Sequence, residues 1–203
     1  MAAMSTSFAE PPRTLVIACG ALAREFLFLK ERNGWDHMTI TCLPAKLHNR
    51  PQLIPEAVRE KIREMRAGYD RVLCLYGDCG TGGLLDQVLA EEGAERIAGA
   101  HCYEFFLGSP EFEALNDEDP ATFYLTDYLV RHFETLIIKG LGLDRYPQLL
   151  ETYFGNYNRV VFLSQIPDPV LLKKAEEAAR RLGLPLVVRE TGLGGIETFL
   201  ATA

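Results

Sequence analysis

The chain has 203 residues, of which 48% are hydrophobic and 24% charged, a composition typical of a globular protein that can bury a large core. The formal net charge is -7 and there is no basic cluster, which argues against nucleic acids and anionic membrane surfaces as main partners. The sequence also has no apolar run near the roughly 18 residues that span a bilayer, so it predicts no membrane segment.

Residues 1–12 are mostly small and polar and end in Pro11-Pro12. They lack the basic start and apolar centre of a signal peptide. We therefore predict a flexible tail over residues 1–12 and a single domain over residues 13–203 of a cytoplasmic protein. The five cysteines fit this location, because an odd number in a cytosolic chain favours thiols or metal ligands over disulfides.

An apolar run over residues 14–18 predicts a buried first strand, which Cys19 and Gly20 end. A helix with an apolar face follows from Ala21. Residues 38–43 predict the second strand, with Cys42 in the core.

The loop after this second strand contains His48 and Asn49. Functional groups of open α/β sheets gather at the carboxyl ends of strands. His48 is therefore either a solvated loop side chain or part of a site, and both interpretations stay open.

Residues 71–83 combine a buried strand with a glycine loop, and the leucine spacing after them predicts a helix. Cys79 lies in the loop, where we expect it to meet the helix N-terminus. Backbone N–H groups and the helix dipole favour a thiolate at such a position. The alternative is a tight turn that tolerates a small residue.

In the second half, residues 95–98 predict a short link or strand, and a segment rich in possible ligands follows at residues 101–106. We predict a helix from about Thr126 to Ile138 and a strand over residues 159–163. Alternating strands and helices predict an α/β fold with a mostly parallel, Rossmann-like sheet and helices on both faces. The strand order does not follow from the sequence.

Four groups of polar residues should converge at one edge of this sheet. They are Cys19; His48 and Asn49; Asp78 and Cys79; and His101, Cys102 and Glu104. Three thiolates with a histidine suit zinc, whereas three thiolates alone suit an iron–sulfur cluster. The predicted ligands are Cys19, Cys79, Cys102 and His48. The usual C-x-x-C spacing is absent, and buried free thiols are the structural alternative.

Two further chemistries need no metal. Cys79 is a candidate nucleophile, with His48 or His101 as its base. The glycine loop is a candidate site for a phosphate or a cofactor tail, although no nucleotide-binding motif matches. Its candidate binding residues are Gly77, Gly80, Thr81 and Gly82.

Four motifs occur in a fixed order: Ala18-Cys19-Gly20-Ala21, Leu47-His48-Asn49-Arg50-Pro51, Tyr76-Gly77-Asp78-Cys79-Gly80-Thr81-Gly82 and His101-Cys102-Tyr103-Glu104-Phe105-Phe106. Together they resemble the signature of a bacterial and archaeal family, the domain of unknown function DUF1638. The resemblance extends over residues 14–200. It assigns no catalytic residue, so the site residues depend on the chemistry above.

Proteins of that family are often encoded beside corrinoid proteins and cobalamin-dependent methyltransferases for methylamines or betaines. The resemblance thus implies one-carbon metabolism, with a corrinoid carried by a partner protein. Our first expectation is a metal-binding protein of corrinoid-dependent methyl transfer, with methyltransferase activity. The alternative is an accessory protein that binds a small molecule without catalysis.

Overall fold

A computed structural model describes residues 10–203. The predicted N-terminal tail lies outside the described residues up to position 9. The chain divides into two compact units, the first running to Ile97 and including Phe199–Ala203, the second comprising Ala98–Thr198. Over the described range, no helix has the length and apolar character needed to cross a membrane.

The first unit contains a sheet of four parallel strands in the order β2-β1-β3-β4. The strands are β1 (Thr14–Cys19), β2 (Met38–Leu43), β3 (Arg71–Leu75) and β4 (Glu95–Arg96). Ala18 of β1 pairs with Cys42 of β2 on one side and with Leu75 of β3 on the other. This register sets which residues meet at the carboxyl edge of the sheet.

Three helices connect these strands: α1 (Ala23–Asn33), α2 (Ile54–Met65) and α3 (Leu84–Glu92). Apolar side chains of α2 and α3 repeat at helical spacing and pack against alternate residues of β1 and β3, because successive side chains of a strand face opposite sides. This core contains Leu15, Ile17, Ile54, Val58, Ile62, Val72, Cys74, Tyr76, Leu85 and Leu89.

The second unit contains three parallel strands in the order β5-β6-β7. They are β5 (Thr122–Thr126), β6 (Arg159–Ser164) and β7 (Leu186–Glu190). The remaining helices are α4 (Cys102–Leu107), α5 (Ser109–Glu118), α6 (Asp127–Arg131), α7 (Leu149–Phe154), α8 (Pro169–Leu182) and α9 (Gly194–Leu200), with a π-helical turn over Glu134–Lys139.

Helices cover both faces of this second sheet. On one face, Leu125 and Phe162 pack against α6 and α8. On the other, Tyr124 packs against Tyr103 of α4 and Phe112 of α5. Buried strands between two helical layers explain why the apolar runs of β5 and β6 are nearly continuous.

The structure confirms the α/β class, the parallel strands and the helices, and it corrects three details. The strands form two sheets rather than the one predicted, since β4 pairs with β3 and β5 pairs with β6. Periodicity in the sequence predicts strands but does not predict which strands pair. Residues 122–126 form a strand that the sequence analysis did not predict, and this strand runs directly into α6, close to the predicted helix start at Thr126. Cys42 is exposed rather than in the core, because β2 is an edge strand.

Candidate functional site

The first sheet has a topological switch point between β1 and β3. From β1 the chain crosses to β2 on one side and later returns to β3 on the other, so the loops after β1 and β3 diverge at the carboxyl edge. Open α/β sheets bind their ligands at such a point. Because Ala18 pairs with Leu75, Cys19 at the end of β1 lies opposite Tyr76. We define the switch-point site as Cys19, Tyr76 and the glycine loop of residues 77–83.

Asp78 closes the glycine loop. Its Oδ1 accepts hydrogen bonds from the Thr81 hydroxyl (2.7 Å) and the Gly83 amide (2.8 Å), and its Oδ2 accepts one from the Gly82 amide (3.1 Å). The Gly83 amide, followed by the Thr81 hydroxyl, lowers the pKa of the carboxyl group. The loop therefore carries a negative charge and uses these amides internally.

The hydrogen bonds to Asp78 use groups of the glycine loop that the predicted phosphate site would need. Thr81 is buried, its hydroxyl and the Gly82 amide donate to Asp78, and its own amide donates to the Asp78 carbonyl. The loop as folded does not offer these groups to an anion, and a phosphate would also face the Asp78 charge. The roles of Gly77, Gly80, Thr81 and Gly82 in cofactor binding stay a prediction.

Cys79 has a φ of 50°, in the left-handed region that L-residues with side chains rarely adopt. It is the one non-glycine residue with a positive φ among the described residues. The helix α3 starts at Leu84, so Cys79 does not sit at its first turn as predicted. Burial raises the pKa of this thiol to about 11, against a smaller lowering by a backbone hydrogen bond with Gly77.

Cys19 and Cys79 both pack against the buried cluster that includes Tyr76. Burial raises the pKa of Cys19, and a negative charge on Cys19 would raise that of Cys79. The two thiols are thus neighbours that disfavour each other's thiolate form. Gly20 follows Cys19 where a Cβ would lie 3.2 Å from the Leu43 carbonyl oxygen, so a larger residue would disturb this turn.

Tyr76 is 3% exposed, and its hydroxyl is buried without a hydrogen-bond partner among the described residues. The Cys19 thiol lies near enough for the hydroxyl to lower that thiol's pKa, although the geometry falls short of a hydrogen bond. Burial is the main cause that raises the pKa of Tyr76 itself. The site therefore contains an inward-facing polar group that the fold leaves unsatisfied.

The other predicted ligands lie in different surroundings. His48 and Asn49 are exposed in a 3-10 turn over Ala45–Asn49, which follows β2. Cys102 belongs to the second unit, where it begins α4. The ligand-rich segment that follows the short link or strand there is mostly a helix.

Glu104 and His101 have a local structural role at the start of α4. The Glu104 carboxylate accepts hydrogen bonds from the amides of Ala100 (2.7 Å) and His101 (3.1 Å) and from the Ser109 hydroxyl (2.8 Å). With the His101 side chain this forms a capping box. The ligand-rich appearance of this segment thus has a partly structural explanation.

Within residues 10–203, no group of three or more His, Cys, Asp or Glu side chains is arranged to hold a metal ion. The first unit contains Cys19, Cys79 and His48, and Cys19 and Cys79 pack against the same buried cluster, which also contains Cys74. A metal bound by Cys19, Cys79, Cys102 and His48 stays a prediction, as does catalysis by Cys79 and His48.

A polar network in the second unit was missed by the sequence analysis. Asp127, 1% exposed, accepts hydrogen bonds from the amides of Gln165 (3.2 Å) and Ile166 (3.1 Å), and its own amide donates to the Gln165 side chain (2.7 Å). The guanidinium of Arg131 lies 3.9 Å from the carboxylate. The short apolar run Phe123-Tyr124-Leu125 between two threonines was the available signal, since a strand there places Asp127 at its carboxyl end.

Fold and site together define an α/β protein of parallel sheets with a pair of thiols at a topological switch point. The chain belongs to the family described as "Protein of unknown function (DUF1638)", whose profile matches residues 42–200 and so covers most of the chain. No curated protein matches the sequence. The predicted family membership is thereby confirmed.

Proposed function

We propose that the switch-point site binds a thiophilic metal ion through Cys19 and Cys79, and that the protein serves corrinoid-dependent methyl transfer. The observation that carries the proposal is the neighbouring position of these two thiols where β1 and β3 diverge. An open sheet binds ligands at this point, and sulfur donors there select a soft cation.

The charge of the site favours a cation over an anion. Asp78 is ionised and holds the amides that an anion would need. Burial raises the pKa of Cys19 and Cys79, so each thiol keeps its proton unless a positive charge compensates. A bound metal supplies that charge and displaces the protons.

Zinc is the ion that this donor set supports best. Two thiolates supply half of the four positions that zinc usually fills, and a catalytic zinc site keeps three protein ligands, so the proposal needs a further ligand such as His48 or Cys102. An iron–sulfur cluster is less well supported, because such clusters take about four cysteines and the described residues gather no such set.

The link to methyl transfer comes from the family resemblance. A metal ion that keeps sulfur deprotonated at neutral pH supports a methyltransferase, and a partner protein would carry the corrinoid. A cytoplasmic location belongs to the proposal, since all five cysteines are free thiols, as expected in a reducing compartment. The small-molecule-binding protein without catalysis is the second candidate, supported by the switch point alone.

A metal-free nucleophile has weaker support. Burial raises the pKa of Cys79 to about 11, whereas reactive cysteines have lowered pKa values. The candidate base His48 is exposed on its turn. These features describe a buried, protonated thiol and not an activated nucleophile.

The direct test is the metal content of the protein purified with zinc. We expect about one zinc per chain, and loss of most of it in Cys19→Ser and in Cys79→Ser. Cys42→Ser is the comparison for a neighbouring thiol, since Cys42 is exposed on β2 and lies near Cys19; a loss of zinc in this variant would add Cys42 to the ligands. His48→Ala tests whether the histidine is a further zinc ligand. An unchanged zinc content in this variant would mean that His48 is a surface side chain and not a ligand.

Alkylation of Cys79, followed by peptide mass, separates the chemical alternatives. With metal bound, Cys79 should react slowly until a chelator removes the ion. Rapid labelling without chelator would instead support a nucleophile. Slow labelling throughout, with no metal in the wild-type protein, would overturn the metal site and leave a small-molecule-binding loop.

A further inference from the structure

We propose that the free edge of β2 is an interface at which a second copy of this chain pairs antiparallel, around a two-fold axis beside Thr41. The strand order β2-β1-β3-β4 leaves one side of β2 without a neighbouring strand among the described residues. The interface belongs to the first unit and is independent of the proposed metal site.

The composition of β2 is unusual for an open edge. The strand Met38–Leu43 contains no charged residue and no proline, and three of its six residues are β-branched. Natural proteins usually protect an open edge with lysine, proline or a bulge, because it pairs readily with another chain. Thr39 and Cys42 are exposed, so the strand is accessible to a partner.

The backbone groups that face away from β1 follow from the sheet register. The Thr14 amide donates to the His37 carbonyl at 3.0 Å, so that carbonyl points toward β1. Because the backbone groups of a strand point to alternate sides, the amides and carbonyls of Met38, Ile40 and Cys42 point to the free edge.

The free edge is closed at its first residue and open beyond it. The Met38 amide donates to the Trp35 carbonyl at 3.1 Å, and the Met38 carbonyl accepts from the Lys30 ammonium group at 2.7 Å. The outward groups of Ile40 and Cys42 form no hydrogen bond with the described residues. The open part of the edge is therefore centred on Thr41.

An antiparallel second copy matches these open groups. With Thr41 opposite its own counterpart, Ile40 lies opposite Cys42 of the second copy, and such a pair exchanges both of its N–H···O hydrogen bonds. The two-fold axis repeats this pair. In the same register Met38 lies opposite Pro44, which has no N–H to donate to the occupied Met38 carbonyl.

The charges at the two ends of β2 also favour antiparallel pairing. Asp36 precedes the strand and Lys46 follows it, and both side chains are exposed. Two antiparallel strands bring Asp36 of each copy toward Lys46 of the other, whereas two parallel strands in register would bring like charges together.

Apolar surface lies beside this edge. Leu27 of α1 is 53% exposed and precedes Lys30 by three residues. This spacing places both side chains on one side of the helix. Since Lys30 reaches the outward carbonyl of Met38, Leu27 is on the side of α1 that a second copy would approach.

The mass of the reduced full-length protein tests the interface first. Sedimentation equilibrium should give the mass of two chains. Asp36→Lys should weaken the dimer about tenfold, because it replaces an attraction by a repulsion at both ends of the interface. Adding Lys46→Asp to this variant should restore the affinity, since the two charges are then exchanged.

Cysteine crosslinking tests the register. In a Cys42→Ser background, Thr41→Cys places two thiols opposite each other with Cα atoms about 4.5 Å apart, a separation that a disulfide can span. Oxidised glutathione should then link the two chains, which a non-reducing gel detects. Thr39→Cys is the matched control on the same face of β2. Its counterpart in the second copy lies roughly 13 Å further along the strand, so no link should form.

A wild-type protein that sediments as a single chain would overturn the inference and leave the edge to a strand of another protein. A dimer that is insensitive to the charge exchange and is not linked through Thr41→Cys would place the interface elsewhere. A link through Thr39→Cys but not through Thr41→Cys would contradict the register. None of these readouts needs a metal ion, so their failure would leave the proposed metal site untouched.

Discussion

The carboxyl edges of the two sheets differ in the hydrogen bonds between neighbouring loops and in backbone strain. In the second unit, Asp127 and Gln165 exchange hydrogen bonds between the ends of β5 and β6. In the first unit, Cys79 has a left-handed backbone and the buried Tyr76 hydroxyl lacks a hydrogen-bond partner. Buried atoms of Tyr124 and Arg131 in the second unit also lack one, so the left-handed backbone is the clearer difference.

The difference follows from strand order. The strands β5, β6 and β7 progress in one direction, so neighbouring loops can bond to each other. At the switch point the loops after β1 and β3 diverge, which leaves groups available for a ligand. Buried polar groups that form hydrogen bonds stabilise a fold. Backbone strain and buried polar groups without hydrogen bonds are more common at functional sites. Four predictions test this contrast.

The largest effect is expected at Asp127. Replacing Asp127 by Ala leaves the buried amides of Gln165 and Ile166 without acceptors. Each lost partner costs roughly 1–3 kcal/mol, so the free energy of unfolding should fall by about 3 kcal/mol. Urea unfolding measures it, with Asp144→Ala, an exposed acid of the same unit, as the control. A loss equal to that of the control would show that the network does not stabilise the fold.

The carboxylate of the first unit should matter less. Asp78→Ala removes the acceptor of Thr81, Gly82 and Gly83, but this loop is partly exposed and water can replace some of the bonds. By analogy with helix caps we expect a loss of about 1–2 kcal/mol in unfolding free energy. Chemical denaturation beside Asp36→Ala checks it. A loss above that of Asp127→Ala would reverse the proposed contrast.

The backbone at Cys79 should store strain. Glycine adopts a positive φ without cost, whereas a residue with a Cβ pays about 1 kcal/mol there. Metal-free Cys79→Gly should therefore be about 1 kcal/mol more stable than Cys79→Ala, since both remove the thiol and differ in the Cβ. Thermal unfolding of the two variants side by side measures the difference. If Cys79→Ala proves the more stable, the loop is not strained.

Local sequence patterns predicted the strands and loops of the site, because these form from residues that are close along the chain. The apolar runs that become β1 and β3, with their Cys19-Gly20 and glycine-loop ends, were predicted because periodicity and glycine act within a few residues. The Asp127–Gln165 contacts were not predicted, because they join residues 38 positions apart. The neighbouring position of Cys19 and Tyr76 is equally non-local, since it depends on the register of β1 with β3.

The element boundaries show the same limit. β5 was not predicted, because Thr126 ends the strand and α6 begins at Asp127, with no glycine or proline between them to mark a boundary. Cys79 was predicted to lie at the N-terminus of the next helix, but the loop continues for four more residues before α3 starts at Leu84. Glycine composition predicted the loop, but its length depends on the bonds that Asp78 forms.

The smallest effect is expected for the ion pair between Asp86 of α3 and Arg96 of β4, which lies on the surface of the first unit. The Arg96 guanidinium donates to both carboxylate oxygens at 2.6 and 2.9 Å. This hydrogen bonding is the main cause that lowers the pKa of Asp86. Asp86 is 53% exposed, so solvent screening should limit the pair to a few tenths of a kcal/mol.

The sign of its pH dependence follows from the lowered pKa. The pair stabilises the folded state above the unfolded pKa of aspartate, about 3.9, and this contribution is lost as the pH falls through the lower folded value. Asp86→Asn should therefore differ from wild type at pH 6 and converge with it in strong acid. Unfolding free energies at pH 6 and below pH 4 measure this. A difference that persists unchanged in acid would assign the effect to packing, not to charge, and would leave the carboxylates of Asp78 and Asp127 as the ones that matter at the two edges.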